Sequence, residues 1–177
     1  KKNRIKESKD IKKTKDLTVD FSDNIKNSDY LSGNWTFGRE AGVNSAAVVN
    51  SGNIVVSDGG FVVLAGGAVH NTGNIFAPDG SVHLAVGDEI RVTLNPNLSV
   101  DVTVTETLKE KVDGLQDAIL NGGDINAHTI MLQAELAENL YARIVNNTGI
   151  IQTGMATREG TVIRVRGYTE DQLAQIK

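Results

Sequence analysis

Three histidines, His70, His83 and His128, are the residues best suited to acid–base or metal chemistry, so their spacing is weighed first. No two stand four apart, as paired ligands on a helix do, and the chain has no cysteine to join them. The same lack removes disulfides and thiol nucleophiles. His70 falls at a turn and His83 at an outward strand position, so both read as surface histidines. Three carboxylates, Asp58, Asp79 and Glu159, each precede a glycine at matching places in a repeated phrase. A column of them could ligate Ca²⁺ or supply the acid pair of a polysaccharide-cleaving enzyme. Asp-Gly is also a turn dipeptide, and turn formation explains the recurrence with fewer assumptions. Gly59-Gly60 and Gly66-Gly67 flank a strand, but no Lys-Ser/Thr follows as a phosphate loop needs. The sequence therefore predicts no catalytic, cofactor-binding or metal-binding residues, and a chain that is not an enzyme.

What positions these residues is a repeat. Val49-Asn50-Ser51-Gly52-Asn53-Ile54 returns 21 residues later as His70-Asn71-Thr72-Gly73-Asn74-Ile75. Asp58-Gly59 then falls on Asp79-Gly80, Phe61 on Val82 and Val63 on Leu84. The phrase returns as Asn147-Thr148-Gly149-Ile150-Ile151, followed by Glu159-Gly160-Thr161-Val162, and more weakly as Gly123-Asp124-Ile125-Asn126-Ala127. Each copy joins a turn in which Gly tolerates positive φ to a short strand, a second turn and an alternating strand. In that alternation Phe61/Val63, Val82/Leu84 and Val162 should face inward, with His83 and Arg164 outward. Near-constant spacing of very short strands favours stacked coils, Ile54 over Ile75, above a hairpin ladder, a sandwich or a barrel. Asn50, Asn71 and Asn147 would then stack as a structural amide ladder.

The fold class expected is all-β: a right-handed parallel β-helix (β-solenoid) with short helical insertions and a basic N-terminal arm. The arm takes residues 1–28, the solenoid 29–168 and a C-terminal helix 169–177, opened by the capping pattern Thr169-Glu170-Asp171-Gln172. Insertions are expected near 105–121, where Leu108, Val112, Leu115 and Ile119 share a helical face before Gly122-Gly123, and near 133–145, with Leu136, Leu140 and Ile144 four apart. Ile90 to Leu94 and Leu98 to Val104 alternate as a strand pair outside the repeat, with Asn95-Pro96-Asn97-Leu98 as their turn.

Composition agrees. Gly numbers 18 and aromatics reach only 5%, a balance suited to tight turns around a narrow aliphatic interior. No apolar run is long enough to cross a bilayer as a helix. The net charge of −4 is uneven: residues 1–16 hold eight Lys/Arg against three acids, leaving the remainder strongly acidic. A basic arm on an acidic body could bind nucleic acid, anionic lipid or a neighbouring copy, and more simply is a solvated end; no nucleic-acid partner is inferred.

From about residue 20 to 167, the ordered phrases resemble the filamentous haemagglutinin family, the large exoproteins of two-partner secretion in Gram-negative bacteria. They are Asn27-Ser28-Asp29-Tyr30-Leu31-Ser32-Gly33-Asn34-Trp35-Thr36-Phe37, the coils Val48 to Gly67 and Asn71 to Gly87, an acidic-start helix near Leu108, Asn121 to Ala127 and Val145 to Gly149. The resemblance implies a right-handed parallel β-helix, export through an outer-membrane β-barrel transporter, and a role in adhesion, toxin delivery or surface structure. The family's secretion-signal coils have no counterpart ahead of residue 20, and Asn95 to Leu98 lies after the coils where the family's recognition tetrapeptides lie before them. The function expected is a secreted, extracellular or outer-cell-surface structural or adhesin module mediating attachment or surface assembly. Two alternatives stand beside it: a self-assembling subunit of an extracellular filament or sheath, stacking on copies of itself end to end, and a polysaccharide-binding or cleaving β-helix that meets host or cell-surface glycans.

Overall fold

A computed structural model describes residues 31–97, 99–153, 155–159 and 162–166. The arm expected at 1–28 and the helix expected at 169–177 lie outside the described residues.

The repeated phrase folds as layers. Its first strands, β2 (Ala47–Asn50), β5 (Ala68–Asn71), β9 (Asp117–Asn121) and β11 (Arg143–Asn147), form a four-stranded parallel sheet in the order β11-β9-β5-β2. The strands after the turn form a second sheet. It contains β3 (Asn53–Val55), β4 (Phe61–Gly66), β6 (Asn74–Val86), β10 (Asp124–Ala134), β12 (Ile150–Gln152), β13 (Met155–Glu159) and β14 (Val162–Arg166). Register is kept across layers: Ile54 pairs with Ile75, Ile75 with Ile125, and Ile125 with Ile151. The inner pair is closed off, with Ile75 and Ile125 at 1% and 0% exposure. Between the two sheets lies the main core, built from Val69, Ile75, Val82, Leu84, Ile119 and Ile130 among others.

Glycine sets how closely the layers approach at the turn. A Cβ on Gly73 would collide with the Gly52 carbonyl, one on Gly123 with Gly73, and one on Gly149 with Gly123. A side chain at any of these would push two layers apart, which is why the phrase carries Gly two residues after Asn.

The expectation of one right-handed parallel β-helix through residues 29–168 does not hold. The strands divide into three separate sheets. The third, β1 (Asn34–Gly38), β7 (Glu89–Leu94) and β8 (Val100–Glu106), is antiparallel throughout in the order β1-β7-β8. The seven-stranded sheet itself ends in antiparallel pairs, β10 with β14 and β14 with β13. The spacing of the phrase explains the break: from Asn50 it runs 21 residues to Asn71, 50 to Asn121 and 26 to Asn147, so a uniform coil is not what repeats.

The helical insertions expected near 105–121 and 133–145 are also absent; among the described residues helical conformation is confined to Leu31 and Ser32. Leu108 instead forms a parallel bridge with Leu136, fixed by Leu108 N–H to Glu135 O (2.8 Å) and Ala137 N–H to Leu108 O (3.0 Å). Leu108 and Ile119 are buried in the main core and Val112 and Leu115 pack against it, so the four residues are apolar for the core, not for a helix face. Tyr141 holds the irregular stretch in place: its hydroxyl donates to Gly67 O and accepts from Val112 N–H, both at 2.8 Å.

The pairing of Phe61 with Val82 and of Val63 with Leu84 is corrected by one residue. Val62 stands beside Val82 and Leu64 beside Leu84, and Phe61 and Val63 lie with Ser81 and His83. The connection from Val55 to Phe61 is one residue longer than its counterpart from Phe76 to Ser81, and a one-residue slip exchanges the faces of a strand. Phe61, Val63, Ala65 and Ala85 therefore point out of the stack, where Ile90, Val92, Val102 and Val104 of the antiparallel sheet cover them. His83 is also outward, but under that cover it is 3% exposed.

Candidate ligand cavity and the polar rows

The residues weighed first for chemistry do not converge. His70 Nε2 meets Asp117 O at 3.0 Å, His83 Nε2 meets Ser81 Oγ at 3.1 Å, and His128 sits exposed at an irregularity of β10. Burial holds the His83 imidazole down to about 4, against a weak opposing pull from Asp101, so it is neutral at ordinary pH. Its Nδ1 is buried without a partner. Asp58 is an exposed turn residue, Asp79 is exposed within β6 with φ +51°, and Glu159 falls on β13. Among the described residues no trio of His, Asp and Glu is placed to hold a metal ion.

The polar groups that the structure does bring together form a row, buried at Asn50, Asn71 and Asn121 and exposed at Asn147. Asn50 Nδ2 donates to Asn71 Oδ1, Asn71 Nδ2 to Asn121 Oδ1, and Asn121 Nδ2 to Asn147 Oδ1, each at 2.7 Å. Every Nδ2 also donates to the carbonyl two residues on, at Gly52, Gly73, Gly123 and Gly149, at 3.1 to 3.3 Å. In Asn50, Asn71 and Asn121 both amide protons are thus committed, one within the layer and one to the next. The sequence pointed to Asn50, Asn71 and Asn147. Asn121 was missed because Gly122 stands where the other copies have Ser or Thr.

A second feature has no sequence signal at all. A cavity of about 490 Å³ opens where the end of β1 and the 39–46 loop cross the corner at Gly66-Gly67. Its walls include Phe37, Val43, Ile90 and Leu108, with Arg39, Glu40 and Asp88 as the charged groups. Arg39 Nε donates to Asp88 Oδ1 (2.8 Å), Nη2 to Asp88 Oδ2 (3.2 Å), and Nη1 to both Val43 O (2.7 Å) and Glu110 Oε2 (2.9 Å). Asp88 Oδ2 also accepts from Lys109 N–H at 3.1 Å. The hydrogen bond to Asp88, more than any other contact, raises the Arg39 guanidinium above its usual range. Both carboxylate oxygens of Asp88 are thus engaged. The cavity is partly apolar and its lining sets Arg39 against two carboxylates, Asp88 and Glu40, a combination that suits an uncharged group better than an anionic one.

A comparable pair braces the other side of the stack. Arg143 Nε and Nη2 bond the two oxygens of Asp117, which also accepts from Asn146 Nδ2 at 3.2 Å. The Arg143 hydrogen bond lowers the Asp117 carboxyl below its usual range, outweighing the effect of burial. Asp117 is therefore no candidate acid.

Compared with known proteins, the chain matches no family model, and no curated protein matches it significantly.

Proposed function

We propose that this chain is a secreted cell-surface module, structural or adhesive, that mediates attachment or surface assembly. The observation that carries the reading is the Asn50–Asn71–Asn121–Asn147 row, which runs through every layer of the parallel stack and ties each to the next by hydrogen bonds, buried at the first two steps and part-buried at the last. A layered scaffold joined this way resists shear between neighbours while leaving its outer faces free to vary, which is what a stalk or contact surface requires. The acidic groups with the strongest constraints, Asp88 and Asp117, are both engaged by arginines, and the cavity at Arg39, with Asp88 and Glu40 in its lining, suits a neutral group better than an anionic one. The ordered phrases resembling the filamentous haemagglutinin family support the same role, and with it export through an outer-membrane β-barrel transporter.

The test is retention. Purified chain coupled to beads is presented to cultured cells and to an array of neutral and acidic glycans. Saturable retention by cells or by neutral glycans, reduced by Arg39→Ala, is expected. Retention no greater than on beads carrying an unrelated protein refutes the role.

A further inference from the structure

The asparagine row has a direction, and its two ends differ in chemistry. At the Asn50 end, Oδ1 accepts from Gly52 N–H (3.2 Å) and has no Asn donor among the described residues. At the Asn147 end, Nδ2 donates to Gly149 O, and its second proton, the one that reaches the next layer elsewhere in the row, has no acceptor among the described residues. An acceptor at one end therefore matches a donor at the other.

The strands around these ends match as well. Among the described residues the outer edges of β2 and β3 are unpaired at one end, as are those of β11 and β12 at the other. Both ends carry Asn-x-Gly-x-Ile, as Asn50 to Ile54 and Asn147 to Ile151. Ile54 and Ile151 are only partly buried, whereas their inner counterparts Ile75 and Ile125 are closed off. The occupant with complementary hydrogen bonds, register and apolar surface is a second copy of the chain, its first layer against the last layer of its neighbour. Such a head-to-tail contact does not close on itself and would continue into a filament.

One element stands in the way. Strands stack four deep along β2-β5-β9-β11 and along β3-β6-β10-β12. The third strip is five deep: β4, β6, β10, β14 and then β13. β14 runs antiparallel to β10 over Thr129–Gln133, and β13 lies outside it, in the place that β4 of an added copy would need. We propose that the β13–β14 hairpin is a cap that blocks head-to-tail addition, and that once it is unpaired, copies of this chain add end to end through Asn147 and Asn50. The inference deepens the surface-assembly part of the proposed function and rests on that reading.

The test uses the full chain. In Arg164→Pro/Val165→Pro, adjacent residues of β14 that send their N–H groups toward opposite neighbours both lose a donor, so the hairpin loosens on both edges. Sedimentation and electron microscopy should show the wild-type chain unassembled and the double variant forming rods, with an assembly threshold lower by at least about tenfold. Adding Asn147→Asp keeps the acceptor for Asn121 Nδ2 but removes the outward donor, and should raise that threshold again by about tenfold or more. A double variant that stays monomeric overturns the proposal, as do aggregates indifferent to Asn147→Asp or a wild-type chain that assembles equally well. If the double variant loses its β-sheet circular dichroism, Val165→Gly, which only weakens the strand, replaces it, and a monomer there overturns the proposal. Bead retention of the wild-type chain is read separately, so attachment can survive the failure of capping.

Discussion

Asn71→Ala is the substitution whose effect follows most directly from the geometry. Asn71 is 0% exposed and takes part in three side-chain hydrogen bonds: from Asn50 Nδ2, to Asn121 Oδ1 and to Gly73 O. Truncation leaves Asn121 Oδ1 without that donor, leaves Gly73 O with Asp124 N–H, and frees one proton of Asn50 Nδ2, which keeps only its 3.3 Å contact to Gly52 O. Each buried polar group left unsatisfied costs about 1–3 kcal/mol. Allowing for water entering the small void, the loss should be about 3–5 kcal/mol, a large part of the stability of a domain this size. The control is Asn74→Ala, which removes a similar 2.8 Å bond to Asn53 on the exposed face and should cost less than about 1 kcal/mol. Urea unfolding followed by circular dichroism measures both. Equal losses for the two variants, or a loss below about 1 kcal/mol for Asn71→Ala, would refute the claim that the buried row holds the layers together.

Two further expectations concern buried groups outside the row. His83 is held near 4 in the folded chain against 6.5 when free, so its neutral form supports the fold above 6.5 and that support is lost as pH falls through about 4. The full loss is about 3 kcal/mol, and urea unfolding across this range should show a slope that His83→Leu flattens. Ser45 Oγ is buried without a partner beside Gly67, so Ser45→Ala should leave the unfolding midpoint unchanged or raise it, by up to about 1 kcal/mol; a clear drop would mean that the hydroxyl is satisfied.

The layers were legible because their signal is local. Asn, Gly and Ile at fixed offsets encode a turn, a close approach and an inward side chain within five residues, and the register of Ile54 on Ile75 follows from spacing alone. The alternating pair at 90–94 and 98–104 was readable for the same reason, and it forms the β7–β8 hairpin. What failed depended on distant partners. Leu108, Val112, Leu115 and Ile119 have helical spacing, but the neighbouring layer offers Leu136 a strand-like bridge, and tertiary burial overrides the local period. The inward face of β4 was misassigned because a turn one residue longer cannot be told from composition. The cavity was invisible, since Arg39 finds Asp88 and Glu110 at 49 and 71 residues' distance with no motif to join them.

Parallel, in-register stacking of the phrase is what every functional proposal here depends on, and a pair of introduced cysteines reads it directly. Ser51 and Thr72 are exposed neighbours across one layer step, with Thr72 Oγ1 donating to Ser51 Oγ at 3.1 Å, and the chain has no cysteine of its own. Ser51→Cys/Thr72→Cys should close a disulfide under mild oxidation and raise the unfolding midpoint, the closed loop being worth about 3 kcal/mol, while Ser51→Cys/Asn97→Cys stays reduced. Cross-linking of the first pair no faster than of the second would contradict the stacking.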